Sequence, residues 1–390
     1  MTDENIDYKV FFLFFFILGL IITLNFLYID NIDFISGELS RGQIFGRDFL
    51  HSWTAAKLAV NNHLPDVYNH TLFPNHAPDE VRATGVAFNF AYPPQMLSIL
   101  YPLGFLSYES AFIIWSLLSF SCFLLSVTLG SSYNKIYILV LMLAPATLIN
   151  ISFGQNGLLT AALLIGGCKA LNRSHILSGI LFGILTIKPH MGILIPFALI
   201  AGRYWKTFIW ATLTAIIMVA FSCFILSYEV WYYWMINSPW KYAKNFIEHG
   251  VGLGINMQIS PFISARLLTG SIYFAWIVQV ICCLIAILST IYAFIKSDCW
   301  LIKVAVLVTA TYLSSPYIHS YDMSALSVII VLLISSDKIC SFNKLERYLM
   351  VFIWVTPILT MRFSIIGFPY APVLTLLFLC MLIRTIRKNN

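Results

Sequence analysis

The first polar segment after the first apolar run contains Gly46-Arg47-Asp48-Phe49-Leu50-His51-Ser52-Trp53, and Asp48 heads the only strongly patterned helix in it. Phe49, Trp53, Ala56 and Val60 recur at i, i+4, i+7 and i+11, one apolar stripe at helical spacing. The pattern predicts an amphipathic helix lying on a membrane surface, with Arg47 and Asp48 at its N-terminal end. An Asp in that place ordinarily caps its helix by accepting first-turn amides. Whether it does more depends on what the rest of the chain places beside it.

Four further polar clusters interrupt apolar runs. Lys188 precedes Pro189, which biases it out of helical geometry and ends the helix before it. A lysine flanked by apolar runs is costly unless it pairs, binds an anion or snorkels to the headgroups. As an anion site it would serve as a point charge for phosphate, with His190 or His319 as a second donor. Gln155 and Asn156 follow Gly154 and precede a new helix, so Asn156 reads as a turn or N-cap residue. Gln155 is free to bond a sugar hydroxyl. His319 sits in Ser315-Pro316-Tyr317-Ile318-His319-Ser320-Tyr321-Asp322, where Tyr321 and Asp322 give it hydrogen-bonding neighbours. The aromatic run Trp231, Tyr232, Tyr233, Trp234 and Trp240 serves as an interfacial belt or as stacking faces for a sugar.

The elements that must position these groups are membrane helices. The chain of 390 residues is 59% hydrophobic and 10% charged, against about a quarter charged in soluble domains. Long apolar runs recur from end to end, so the expected fold is an all-α polytopic membrane protein. The net charge of +6 then belongs to cytoplasmic loops rather than to nucleic-acid binding. All eight cysteines fall in or beside apolar runs without metal-ligand spacing and read as small core hydrophobes. The run Val10–Tyr28 has no small-residue cleavage pattern after it and reads as an uncleaved anchor.

The positive-inside rule chooses among topologies. Tyr92–Leu106 begins Tyr-Pro-Pro and is too short to cross a bilayer comfortably. If it stays on the outer side, Lys135, Lys169, Arg173, Arg203, Lys206, Lys296, Lys303, Lys338, Lys344, Arg347, Arg384, Arg387 and Lys388 all face the cytoplasm. The expectation is one membrane domain over residues 1–390, about twelve crossings, and both termini inside. External loops then cover residues 30–91 and 228–270. Asp48, the Gly154 turn, Lys188 and the His319 loop meet in one outward-facing cavity, since irregular polar backbone at membrane depth must line a cavity or be buried.

Six blocks carry a family likeness: Arg-Asp-Phe…Trp-Thr-Ala-Ala (47–56), Ala-Tyr-Pro-Pro (91–94), the Gly-Gln-Asn-Gly block (154–164), Leu-Ser-Gly…Ile-Lys-Pro-His (177–190), Ala-Gly-Arg-Tyr-Trp-Lys (201–206) and Ser-Pro-Tyr-Ile-His-Ser-Tyr-Asp (315–322). In that order they resemble glycosyltransferase family 87 of the GT-C class of integral-membrane sugar transferases. The resemblance implies a polyprenyl-phosphate-sugar donor, often a mannose donor, used outside the cytoplasmic membrane on a lipid or glycan acceptor. It also implies that Asp48 is the general base and that Lys188 and His319 belong to the site. The chemistry is consistent. A carboxylate takes the acceptor hydroxyl's proton as it attacks the anomeric carbon. The lipid phosphate leaves as a stable anion, so donors that hold it stabilise the developing charge. Asp48 and His319 are the expected catalytic residues, with Lys188 and His319 holding the leaving phosphate and His190 and Arg266 as further phosphate contacts; Arg47, Gln155, Asn156, Tyr321 and Asp322 are the expected sugar or acceptor contacts. No metal, cofactor or nucleic acid is called for: no Asp-x-Asp pair, zinc spacing, Walker loop or dinucleotide fingerprint is present. His51 and Ser52 depart from the apolar or aromatic residues usual after the Asp. Two rivals remain, a lipid or glycan transporter or flippase, which predicts two-half symmetry not visible here, and a non-catalytic assembly partner.

Overall fold

In the computed structural model, the described residues are 46–79, 88–128, 135–336 and 342–389, with most of 10–25. The expectations for the N-terminus, residues 26–45, residues 80–87, Lys338, Cys340 and the Arg47 side chain fall outside that set.

The described chain is helical, with no strand beyond one isolated bridge between Gln258 and His319. Its principal helices are α1 (Arg47–Val60), α2 (Pro94–Leu100), α3 (Tyr108–Thr128), α4 (Lys135–Met142), α5 (Pro145–Phe153), α6 (Gly157–Ala170), α7 (His175–Ile184) and α8 (Ile195–Ala201). The second half follows with α9 (Trp205–Leu226), α10 (Glu229–Asn237), α11 (Pro261–Thr269), α12 (Ile272–Lys296), α13 (Trp300–Ser314), α14 (Ser324–Ile334), α15 (Lys344–Ile365) and α16 (Ala371–Asn389).

Length and burial sort these helices into two groups. Helices α3, α9, α12 and α15 are long and apolar enough to cross a membrane, and α4 with α5 forms a fifth candidate bent by 50°. The first three turn apolar side chains outward: Ile113, Leu117 and Leu125 on α3, Ile216, Ile217 and Phe224 on α9, Leu284 and Leu288 on α12. Exposed apolar faces of that extent belong against lipid. The short helices α6, α13 and α14 are buried along nearly their whole lengths. Gly179 and Gly183, one turn apart on α7, let its backbone meet α9: a Cβ at either would stand 2.4 Å from the Cβ of Trp210 or Thr214.

The burial of the short helices has a chemical consequence. A helix that stops short leaves terminal amides and carbonyls, and the residues that follow it, inside the protein, where they must find polar partners. The breaks after α5, α7 and α13 are the Gly-Gln-Asn, Lys-Pro-His and Ser-Pro-Tyr-Ile-His segments.

Two elements differ from expectation in form. Residues 92–106 fold as α2, buried along most of its length, followed by a 3-10 turn over Tyr101–Phe105 that leaves Phe105 exposed; together they fall well short of a bilayer crossing. Helix α1 does carry Phe49 and Ala56 fully buried, but Leu50, Ala55, Leu58 and Ala59 are buried too. It packs against the 3-10 turn after α2 and against α3 and α5, so it is enclosed by protein instead of lying on a surface by one stripe.

Candidate active site

Helix α1 is held at its N-terminus. Gly46 is the N-cap residue, and no side chain caps the helix. Its N–H donates to Ser152 O (3.1 Å) at the end of α5, and its carbonyl accepts from the Tyr108 hydroxyl (2.9 Å) on α3. Helix α5 then ends at Gly154 with φ 67°, a left-handed conformation that glycine alone adopts without strain. A Cβ at Gly154 would lie 2.4 Å from the Cβ of Phe49 and 2.9 Å from Cε2 of Phe112. The Trp115 indole N–H, on α3, holds the Gly154 carbonyl at 3.1 Å. The turn after α5 therefore passes directly behind the first turn of α1.

That packing sets the first functional contact. Asp48 is the second residue of α1, past the capping position, and its Oδ2 accepts from Gln155 Nε2 at 2.7 Å. A carboxylate only accepts, which orients the amide with its NH₂ toward Asp48. The Tyr92 hydroxyl reaches Gln155 Oε1 from the other side at 3.5 Å. Asp48 is thus held by a side chain 107 positions away and does not cap its own helix.

The next residue starts a second unit. Asn156 stands at the N-cap of α6 but makes no capping bond; its Oδ1 accepts from Lys188 Nζ at 2.9 Å. Lys188 also donates to Asp322 Oδ1 at 2.5 Å, and its ammonium lies 5.1 Å from the Tyr321 ring centroid. Lys188 is 2% exposed and Asp322 0%. A charge buried that deeply is tolerated because the two neutralise each other and their remaining polar atoms are bonded. Asp322 Oδ2 accepts the His319 backbone N–H at 3.1 Å.

The loop that carries His319, Tyr321 and Asp322 is sewn down on both sides. On one side, Ile259 N donates to Ile318 O (3.0 Å), Ser320 N to Met257 O (2.9 Å) and Ile318 N to Gln258 Oε1 (3.1 Å). On the other, Asn150 Nδ2 from α5 donates to Tyr321 O at 2.7 Å and Ser324 Oγ at 3.0 Å, and the Tyr312 hydroxyl donates to Asp322 O at 2.7 Å. His319 stacks on Tyr321 with ring centroids 5.0 Å apart and 7° between planes, and meets Tyr317 edge-on at 5.1 Å. Burial pushes the His319 imidazole down to about 4, with Lys188 acting in the same sense and Asp322 and Asp48 opposing. At neutral pH it is an uncharged hydrogen-bond donor and acceptor. His190 meets Tyr317 edge-on at 5.9 Å, and its Nε2 is buried without a hydrogen-bond partner.

The structure therefore brings Asp48, Gln155, Asn156, Lys188, Tyr321, Asp322 and the backbone of His319 into one bonded series from four separate parts of the chain. Arg266 stands elsewhere: its guanidinium donates to the carbonyls of Glu248 (2.8 Å) and Gly250 (2.7 Å), closing the second polar loop. Lys188, expected as a phosphate contact, already has a counter-charge in Asp322. Asp322, expected as a sugar contact, is that counter-charge. Tyr92 and Asn150 were not singled out by sequence reasoning. Asn150 had a signal, as an amide alone inside the apolar run before Gly154, while Tyr92 was visible only as part of Tyr-Pro-Pro.

The fold and this cluster define a class: a polytopic helical membrane protein with a carboxylate and a charge-balanced lysine joined by one Gln-Asn turn. The sequence profile of glycosyltransferase family 87 matches residues 90–316, more than half of the chain. The chain belongs to that family and is a membrane glycosyltransferase, with a sugar donor and an acceptor as substrates. Comparison with curated proteins and with solved structures returns no match.

Proposed function

We propose that the protein moves a hexose, mannose in the reading the resemblance favours, from a polyprenyl-phosphate donor to a glycan or lipid acceptor at the outer face of the cytoplasmic membrane, with Asp48 as the general base. The observation that carries this is the state of the Asp48 carboxyl group. Oδ2 is fixed by Gln155, and Oδ1 has no hydrogen-bond partner among the described residues. A carboxylate held on one oxygen and open on the other is oriented to take a hydroxyl proton. A capping Asp would instead accept from the first-turn amides of its own helix, which Asp48 does not.

The neighbouring unit supports the donor half of the reaction. The leaving phosphate departs as an anion, so the site needs hydrogen-bond donors more than a proton source. Lys188 has three N–H donors and spends two on Asn156 and Asp322, which leaves one for a phosphoryl oxygen. The imidazole of His190, whose Nε2 is unpartnered, can add a donor without adding charge. Because Asp322 cancels the Lys188 charge, the site favours a phosphodiester, which carries one negative charge, over a more highly charged nucleotide diphosphate sugar.

The test is transfer by the purified protein in detergent, with farnesyl-phosphate or decaprenyl-phosphate hexoses as donors and UDP- and GDP-hexoses as the comparison. Transfer from the polyprenyl donors alone is expected. Transfer from nucleotide sugars would overturn the donor assignment. Movement of the lipid donor across proteoliposome membranes without any sugar transfer would favour a flippase.

A further inference from the structure

His51 lies one helical turn after Asp48, so the two side chains share a face of α1. Its ring is fixed on one side by the segment that leads into Tyr-Pro-Pro: Nδ1 is 3.0 Å from the Asn89 carbonyl, and the ring packs on Phe88 with centroids 4.3 Å apart. A carbonyl only accepts, so Nδ1 carries the proton. Burial also lowers the His51 pKa, against the pull of Asp48 and of the Asn89 bond, which keeps the ring neutral. In a neutral imidazole protonated at Nδ1, Nε2 is a lone-pair acceptor. Nε2 has no hydrogen-bond partner among the described residues, and it is not among the buried polar atoms left unpaired.

The face therefore presents two acceptors, Asp48 Oδ1 and His51 Nε2, on side chains whose Cβ atoms are roughly 5–6 Å apart at this helical spacing. We propose that these atoms form a two-hydroxyl recognition site, so that the acceptor substrate is a sugar presenting the attacking hydroxyl to Asp48 and a neighbouring hydroxyl to His51. The inference rests on Asp48 being the base, and it narrows the acceptor: a ring with adjacent hydroxyls fills both positions, whereas an isolated hydroxyl on an amino-acid side chain or a simple alcohol fills one. Nearby groups fit this division of labour. Gln155 already spends its NH₂ on Asp48, and the Asn89 carbonyl spends its lone pair on His51, so both acceptors are preset before substrate arrives.

Two substitutions separate this role from a structural clamp, because they keep opposite halves of the imidazole. Asparagine places an N–H close to where Nδ1 was and has nothing at Nε2; glutamine reaches the Nε2 position and gives up the Nδ1 contact. The measurement is steady-state transfer from a farnesyl-phosphate hexose to n-octyl hexosides, to their monodeoxy analogues and to n-octanol. One lost neutral hydrogen bond is worth roughly 2- to 13-fold. The wild-type protein should show a KM higher by that factor for the analogue lacking the hydroxyl next to the attacked one. His51→Asn should raise KM for the parent hexoside by the same factor, more than it lowers kcat, and should no longer distinguish that analogue. His51→Gln should keep the discrimination. The reverse pattern, with His51→Asn like the wild type and His51→Gln impaired, would make His51 a clamp on Asn89 and overturn the site. Equal use of n-octanol and octyl hexosides by the wild type would also overturn it while leaving the transferase reading intact. Failure of the wild type to release sugar from the donor to any acceptor, water included, would remove the transferase reading and this inference together.

Discussion

Replacing Lys188 by methionine removes the ammonium and keeps most of the side-chain volume. Asp322, 0% exposed, would then keep only the His319 backbone N–H on Oδ2, and Asn156 Oδ1 would lose its donor. Removing one partner of a buried pair typically costs about 3–5 kcal/mol, because the charge left behind is uncompensated. Taking roughly 2.1 cal/mol/K per residue as the unfolding entropy, a chain of 390 residues loses about 4–6 °C in thermal midpoint. The assay is thermal unfolding in detergent, followed by intrinsic fluorescence, for Lys188→Met, Asp322→Asn and the double variant. The double variant removes the orphaned charge, so it should recover part of the Lys188→Met loss, a coupling of the kind that double-mutant cycles resolve. A Lys188→Met midpoint within about 1 °C of wild type, with no coupling to Asp322, would mean that the pair does not hold the α6, α7 and His319 segments together.

Three further outcomes follow from the same geometry. Gly154→Ala puts a Cβ 2.4 Å from Phe49 at a φ of 67°, so it should lower both stability and transfer, while Gly252→Ala, whose Cβ would meet nothing within 4 Å, should cost only the strain of its positive φ. The pKa values of His319 and His190 both lie below the ordinary 6.5, so the unfolded chain binds protons that the folded chain refuses; stability should be full above pH 6.5 and fall as pH drops below it, and His319→Gln should lessen that decline in the thermal midpoint while leaving the share due to His190. For the proposed orientation, a cysteine at Asn75, exposed in the same loop, should react with an impermeant thiol reagent in intact cells and one at Asn172, also exposed, should not; labelling at Asn172 from outside would reverse the topology.

Much of the architecture could be read from the chain. The helical membrane character followed from apolar runs, and the breaks at Gly154, Lys188 and Ser315 were visible because polar residues there interrupt apolar sequence. The partners of those residues were not visible. Lys188 and Asp322 are 134 positions apart and Asp48 and Gln155 are 107 apart, and no local pattern encodes a pair across such a separation. Asp322 was read as part of a hydrogen-bonded pocket around His319 and as a sugar contact; its complete burial against Lys188 is a long-range pairing that the local sequence does not encode. Arg266 was expected at the donor phosphate because it is a cation in an outer segment, yet the carbonyls of Glu248 and Gly250 take its guanidinium. The amphipathic reading of α1 missed that its small residues, Ala55 and Ala59, let neighbouring segments pack against faces the stripe had left to solvent.

The central claim is that Asp48 removes a proton and does not merely hold substrate. Asp48→Asn keeps the size and the contact to Gln155 through its amide oxygen, but cannot act as a base. The measurement is donor affinity and single-turnover transfer on the same preparation, with a farnesyl-phosphate hexose and an octyl hexoside. General base assistance is worth about 10²–10⁴-fold, so transfer from bound donor should fall by at least that range while donor affinity stays within a few-fold of wild type. An Asp48→Asn protein that loses donor binding, yet turns over whatever donor it binds at the wild-type rate, would contradict the account.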